Sequence, residues 1–453
     1  MPKDSDNEAL RYHEQGNPGK TEVVPTKPFC TPEDLALAYS PGAVVPAAEI
    51  NRNRWNAYKY TNKGNLVAVI SDGSSVLKPG NTGALASKPI MEGKSMLFKI
   101  YGDIDAFDIE IAENDPDKLI EIIQSMAPTF GGINLEEIRA PKCFRIEEKL
   151  RNLLDIPVMH DNQHGTAVAI VAALINAAEL ADKELLNLRI VINGAGAAAI
   201  ATGRMLIKSG IPRNNILMFD SHGIITTLRS NLSPEKREFA TSSRNAETLA
   251  KATVNADVLL VFSKEEAIGE KELNGMSKNP IIFAISNQIS EADYDDIKHL
   301  RPDAIIGTGN HAICNHISNV LAFPYLFRGA LDTYSTCIND AMLLAAGKAI
   351  AALARRPVPK VLQKIYGKKI TFGREYLLPK PNDRRLISEV SCAVARAAIE
   401  SGVARRKITD WENYQHMLYE RLEREAVFCR EIFRRNSQKG SLHQRYTKRF
   451  SPF

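Results

Sequence analysis

The chain is poor in cysteine and tryptophan, with six Cys and two Trp in 453 residues. The cysteines (Cys30, Cys143, Cys314, Cys337, Cys392, Cys429) are scattered without CxxC spacing. That argues against a disulfide framework and a zinc site, and fits a reducing compartment. Long apolar runs are also missing: none would span a bilayer. The N-terminal stretch MPKDSDNEALRYHEQGNPGK has no apolar signal core. A cytoplasmic location and no membrane partner are therefore expected. Charge of one sign does not dominate, since the net value is only +5. This is too small to imply nucleic acid, and no such partner is expected. No internal repeat or long low-complexity segment is visible.

What is present suits a soluble globular chain: 44% hydrophobic and 25% charged residues, enough for two domains with real cores. Glu8–Gln15 reads as a short helix, and Thr31-Pro32-Glu33-Asp34 opens another. That second helix breaks at Ser40-Pro41-Gly42, just after Tyr39. Leu66–Ile70 and Met96–Phe98 read as strands, with a Gly-rich loop (Pro79–Gly83) and an amphipathic helix between them. Lys94 is then expected between that helix and the second strand.

The most unusual stretch is Pro128–Ala167. Adjacent carboxylates, Glu136 and Glu137, follow a Phe-Gly-Gly turn. Ile156, Val158 and Met159 form a strand-like run that ends in His160-Asp161-Asn162-Gln163-His164-Gly165. Polar groups at the end of a buried strand sit where parallel sheets place ligands. Oxygen donors from two segments suit a hard cation such as Mg²⁺ or Mn²⁺. The bland alternatives are a solvated Glu-Glu face and a helix N-terminus capped by Asp161 or Asn162.

Further on, Leu188–Asn193 is a strand entering Gly194-Ala195-Gly196-Ala197-Ala198-Ala199, the G-x-G-x-x-A pattern opening a helix. Small residues there let a pyrophosphate approach the amides at the positive helix end. A second strand, Ile216–Phe219, ends in Asp220, the expected partner of an adenosine ribose hydroxyl. An acid there leans toward NAD, while His222 and Arg229 are placed to accept a 2′-phosphate, so NAD or NADP stays open. Ala256–Phe262, Pro280–Ile285 and Ala304–Ile306 continue a buried parallel sheet. Helices follow at 338–354, 384–402 and 410–425.

The wording of these stretches closely resembles the malic enzymes, over residues 10–423. The family's PTFGGINLED and IPVxHDDQHGT match here, except that Glu137 and Asn162 replace aspartates. The resemblance implies Glu136, Glu137 and Asn162 as metal ligands, with Asp161 beside them in the catalytic set. It implies Tyr39 of YSPG as proton donor and Lys94 of MEGK as base, with Lys99 the weaker rival. Asn287, in the position of the family's ANP, is expected to meet nicotinamide or substrate, and Asn319 to contact malate. Four departures stand near the cleft: Lys78-Pro79 in the Gly-rich loop, Asn162, Gln288 and Ser318.

The expected architecture is α/β with two domains. Residues 1–160 form an N-terminal malic-enzyme domain, and 161–425 a Rossmann-like NAD(P)-binding domain with parallel sheet plus C-terminal helices. Residues 426–453 are expected to form a basic, disordered tail. The implied reaction is oxidative decarboxylation of L-malate to pyruvate and CO₂, with reduction of NAD(P)⁺ and a need for Mg²⁺ or Mn²⁺. A small-molecule substrate and a homo-oligomer, dimer or larger, are expected. Two alternatives remain: an impaired relative that binds nucleotide and acts by interaction, and an oxidoreductase for another 2-hydroxy acid.

Overall fold

The computed structural model describes residues 3–14, 18–27, 30–76, 82–242, 247–263, 269–285 and 291–423. The expected roles of Asn287, Lys78-Pro79 and Gln288, and the basic tail, lie outside these residues.

The N-terminal segment carries helices α1 (Lys3–Glu14), α2 (Pro32–Ala38) and α3 (Val44–Arg52). Thr31 and Asp34 make a reciprocal capping box at the start of α2, with Pro32 in the first turn. Neither α2 nor α3 buries a single residue. Leu35, Leu37, Tyr39, Val44 and Val45 all face outward.

A four-stranded parallel sheet follows: β1 (Leu66–Ser71), β2 (Asp105–Glu110), β3 (Gly132–Leu135) and β4 (Val158–His160), in the order β2-β1-β3-β4. Helix α4 (Ala84–Gly102) joins β1 to β2. It overturns the strand expected at Met96–Phe98. The reason is periodicity: Ser87, Met91, Lys94, Ser95, Phe98 and Gly102 are buried, a spacing of three and four that lines one helical face. Lys94 therefore sits inside a helix rather than at its end. Helices α5 (Pro116–Met126) and α6 (Lys142–Leu153) complete the crossovers.

Helix α7 (Asp161–Leu180) starts on the residue after β4 ends. It begins five residues earlier than 166, the start read from the sequence. Most of its residues are buried and apolar all round, which is the signature of a helix with protein on every side. The sequence then builds β5 (Ile190–Asn193), α8 (Ala197–Lys208), β6 (Ile216–Asp220), the short β7 (Gly223–Ile224), β8 (Val258–Val261) and β9 (Ile281–Ala284). Helix α9 (Glu291–Leu300) and β10 (Ile305–Thr308) finish the sheet. Its order is β10-β9-β8-β5-β6-β7, parallel except where β7 turns back on β6. Longer helices close the fold: α10 (Phe323–Asp332), α11 (Asp340–Arg355), α12 (Arg385–Glu400) and a further helix over 411–423.

One hydrophobic core runs from β1 through α7 and β5 to α10, α11 and α12. It ties the two sheets together, so residues at the C-terminal ends of β3 and β4 keep a fixed relation to α10. Among the described residues, no helix is long and apolar enough to cross a membrane.

Candidate active site

The parallel register sets Leu135 of β3 opposite His160 of β4. The next residues on each strand, Glu136-Glu137 and Asp161-Asn162, therefore emerge side by side. Two stretches separated by 25 residues meet because adjacent parallel strands end together.

Lys94 reaches this edge from α4. Its Nζ donates to Asp161 Oδ2 at 2.6 Å and lies 3.3 Å from Glu136 Oε2. It also stands 4.2 Å from the centroid of the Phe323 ring, a cation–π contact in a dry setting. Asn319 Nδ2 donates to the same Asp161 oxygen at 2.6 Å, and Asn134 Nδ2 donates to Glu136 Oε2 at 2.9 Å. All three charged side chains are nearly inaccessible.

Burial works to lower the pKa of Lys94, but the charges of Asp161 and Glu136 together raise it. The amine is held protonated, contrary to the depressed value that a lone lysine in an apolar cleft would show. Burial pushes Asp161 up, to about 7, against the pull of Lys94. Asp161 Oδ1 is buried without a hydrogen-bond partner. Gly165, one turn along α7, makes room for it: a Cβ there would fall 1.9 Å from this oxygen.

The rest of His160–His164 serves to fix the turn. Glu147 of α6 accepts from the His160 amide at 3.0 Å and from Gln163 Nε2 at 3.0 Å, and pairs with His164 at 2.8 Å. Sequence reading missed Glu147, since a glutamate in an amphipathic helix ordinarily faces water.

Glu137 and Asn162 face each other. The Glu137 amide donates to Asn162 Oδ1 at 2.9 Å, and Asn162 Nδ2 donates to Glu137 Oε1 at 3.0 Å. Glu137 also adopts a left-handed backbone with φ of 52°, which costs on the order of 1 kcal/mol for a residue with a long side chain. Among the described residues, no three His, Cys, Asp or Glu side chains form a ready cation site. The third donor here is an amide. In kind, the donors still fit a hard divalent cation, because Glu136, Glu137 and Asn162 offer oxygen only. They supply two carboxylate charges.

Tyr39 is 76% exposed, unlike Lys94, Glu136 and Asp161, which are buried. Lys99, the rival base, pairs with Asp103 and Asp105 instead.

A second candidate site lies at the ends of β5 and β6. Gly194 takes φ of 120°, and a Cβ there would strike Phe262 at 2.9 Å, so glycine is required. At Gly196 a Cβ would meet nothing within 4 Å. That leaves open space over the start of α8, whose first turn has no side-chain cap. Ala195, Ala197, Ala198 and Ala199 keep the approach clear of bulk. Such a cradle fits a pyrophosphate. Asp220 ends β6 beside it, where Gly194 N donates to Phe219 O at 3.0 Å.

Two family models match the chain: "Malic enzyme, NAD binding domain" over residues 163–399, and "Malic enzyme, N-terminal domain" over 18–116 and 110–151. A probable NADP-dependent malic enzyme of Rickettsia prowazekii is 49% identical over 94% of this chain and 56% of its own length. The chain thus spans little more than half of that relative. An NADP-dependent malic enzyme of Halomonas elongata is 47% identical over 88% of this chain and 94% of its own. The crystal structure of malic enzyme from Pyrococcus horikoshii superposes with a TM-score of 0.88 at 36% identity, covering 96% of this chain and all of that one.

Proposed function

The chain belongs to the malic enzyme family, and we propose that it performs oxidative decarboxylation of L-malate to pyruvate and CO₂ with reduction of NAD(P)⁺. The observation that carries this reading is the buried Lys94–Asp161 pair, joined by the half-buried Asn319, beside Glu136.

Lys94 is the base for the C2 hydroxyl. It rests as an ammonium, so it needs an acceptor for its own proton before it can act. Asp161, whose Oδ2 accepts from Lys94 Nζ at 2.6 Å, is that acceptor. When the proton moves from Lys94 Nζ to Asp161 Oδ2, the neutral amine takes the hydroxyl proton. Asn319 fixes Asp161 Oδ2 in line, and Phe323 keeps water from the amine. NAD(P)⁺, seated over Gly194–Ala199, supplies the hydride acceptor. Glu136, Glu137 and Asn162 would hold a divalent cation, which would supply Lewis acidity to the substrate. Tyr39 returns a proton to C3. Its exposure in a single copy, with the bare apolar residues of α2 and α3, favours a homo-oligomer in which this segment packs against a second copy. The division between the two domains is placed at 160/161, where β4 passes into α7.

A second reading rests on the Glu137–Asn162 pair, whose mutual hydrogen bonds occupy two of the three expected cation ligands. On that reading the chain binds nucleotide without turnover. Following nicotinamide reduction with Mn²⁺ and L-malate, then with lactate and tartrate, separates the readings. Reduction with malate supports the proposal. Reduction only with another acid, or none despite nucleotide binding, overturns it.

A further inference from the structure

The turn that follows β1, Asp72-Gly73-Ser74, is closed to water, yet it holds no residue of the catalytic set. Its centre is a buried carboxylate. Asp72 Oδ1 accepts from the Ser74 amide at 3.0 Å and from the Ser74 hydroxyl at 2.6 Å. Asp72 Oδ2 pairs with the Lys142 ammonium. Lys142 is the first residue of α6, where the helix end carries partial positive charge and disfavours a cation. The Asp72 carboxylate offsets both charges. Ser74 Oγ passes the connection on, accepting from the Arg139 amide at 2.9 Å. The Ser75 amide donates to the Glu137 carbonyl at 3.0 Å. The backbone is thus gripped at two points around Glu137, whose φ of 52° is unfavourable for a side chain of that length. The same turn also touches the base helix. Gly73 takes φ of 71°, and a Cβ there would fall 2.2 Å from the Gly83 carbonyl oxygen, one residue ahead of α4. One buried turn therefore braces the segment bearing Glu137 against the start of the helix bearing Lys94.

We propose that Asp72 is a positioning residue for the divalent-cation site: through Ser74 and Lys142 it fixes the backbone of Glu137 and so sets the affinity for the ion. The inference rests on the reading of Glu137 as a ligand of that ion. The Ser74 hydroxyl is the relay. Its hydrogen is committed to Asp72, which leaves its lone pairs to the Arg139 amide. A carboxylate suits position 72 better than an amide. Asparagine would keep the Ser74 bonds through Oδ1 but would present Nδ2 to the Lys142 ammonium, donor against donor. Groups that support metal ligands in this way ordinarily change affinity about ten- to a hundredfold when they are removed.

The test is Mn²⁺ titration of the full chain, read by electron paramagnetic resonance of the free ion, with NADP⁺ affinity read by calorimetry on the same samples. Asp72→Asn should weaken Mn²⁺ binding at least about tenfold and leave NADP⁺ binding unchanged. Adding Lys142→Gln to Asp72→Asn should restore most of the Mn²⁺ affinity, because the new amide can donate to the glutamine oxygen. Ser74→Ala cuts the bond to the Arg139 amide while leaving the Asp72–Lys142 pair. It should weaken Mn²⁺ to a similar extent, and it carries the test if Asp72→Asn does not fold. Glu137→Gln checks the ligand reading and should weaken Mn²⁺ as well. Wild-type Mn²⁺ affinity in Asp72→Asn and Ser74→Ala, alongside a loss in Glu137→Gln, would overturn the proposal and leave Glu137 a ligand. Wild-type affinity in Glu137→Gln would overturn both. An equal loss of Mn²⁺ and NADP⁺ binding in Asp72→Asn would show a general loosening of the fold and would overturn the proposal as well.

Discussion

The ammonium of Lys94 and the carboxylate of Asp161, 67 residues apart in the chain, meet at 2.6 Å in a setting closed to water. A buried ion pair gains little net stability against an apolar pair of the same shape, but loses about 3–5 kcal/mol when one partner is removed. Lys94→Met should therefore destabilise the fold by about that amount in urea titration, and Lys94→Met with Asp161→Leu should recover part of it. Both variants should lose at least about a hundredfold in kcat, the usual worth of a positioned proton-transfer group.

Asn162→Asp restores a third carboxylate beside Glu136 and Glu137. It also replaces the bond from Asn162 Nδ2 to Glu137 Oε1 with a like-charge contact. Mn²⁺ should bind the variant at least about tenfold more tightly, read by electron paramagnetic resonance of the free ion. Without metal, the variant's melting temperature should fall, and added Mn²⁺ should restore it. Unchanged Mn²⁺ affinity would remove Asn162 from the ligand set.

Gly165→Ala tests the position of Asp161 separately from its charge. The added methyl would overlap Asp161 Oδ1 and press on Asn319 Cβ, 3.1 Å away. Alanine favours a helix interior, so local helix propensity rises. Activity should nevertheless fall at least about tenfold, because Asp161 must turn away from Lys94. Activity at the wild-type level would show that Asp161 tolerates displacement.

Much of this site was legible from short words in the sequence. Lys94, Asp161 and Asn319 are each expected at the active site from the motifs, and Lys94 and Asn319 both donate to Asp161 Oδ2. The strand expected at Met96–Phe98 failed because three apolar residues in a row carry no period. Only the wider spacing of Met91, Lys94, Phe98 and Gly102 reveals the helix. Glu147 and Lys236 were invisible for a different reason. Each is a charged residue that helical patterning assigns to solvent, and only the fold brings Glu147 under the His160–His164 turn and Lys236 onto Asp220. The Glu137–Asn162 bond was equally hidden, since it depends on the register of β3 against β4.

Glu147 sets a pH dependence. Burial opposes its charge, but His164, His160 and the His160 amide hold its pKa below the ordinary 4.5. Its folded value is lower than its unfolded one. The stability it contributes is therefore present above the unfolded value and lost as pH falls through the folded one. Urea midpoints of the wild type should drop on acidification below about pH 4.5. In Glu147→Gln the midpoint should start lower and fall less steeply over the same range. Parallel slopes would show that Glu147 is not the group responsible.

The central claim is that the Lys94–Asp161 pair serves carbon–carbon cleavage coupled to hydride transfer. Its most direct test is ¹³C NMR of uniformly labelled L-malate incubated with the full chain, Mn²⁺ and NADP⁺. The account predicts labelled pyruvate and labelled CO₂ in equal amounts, matched by reduced nucleotide, and none of the three with Lys94→Met. Malate left intact while NADP⁺ remains bound, or labelled oxaloacetate accumulating without CO₂, would contradict it.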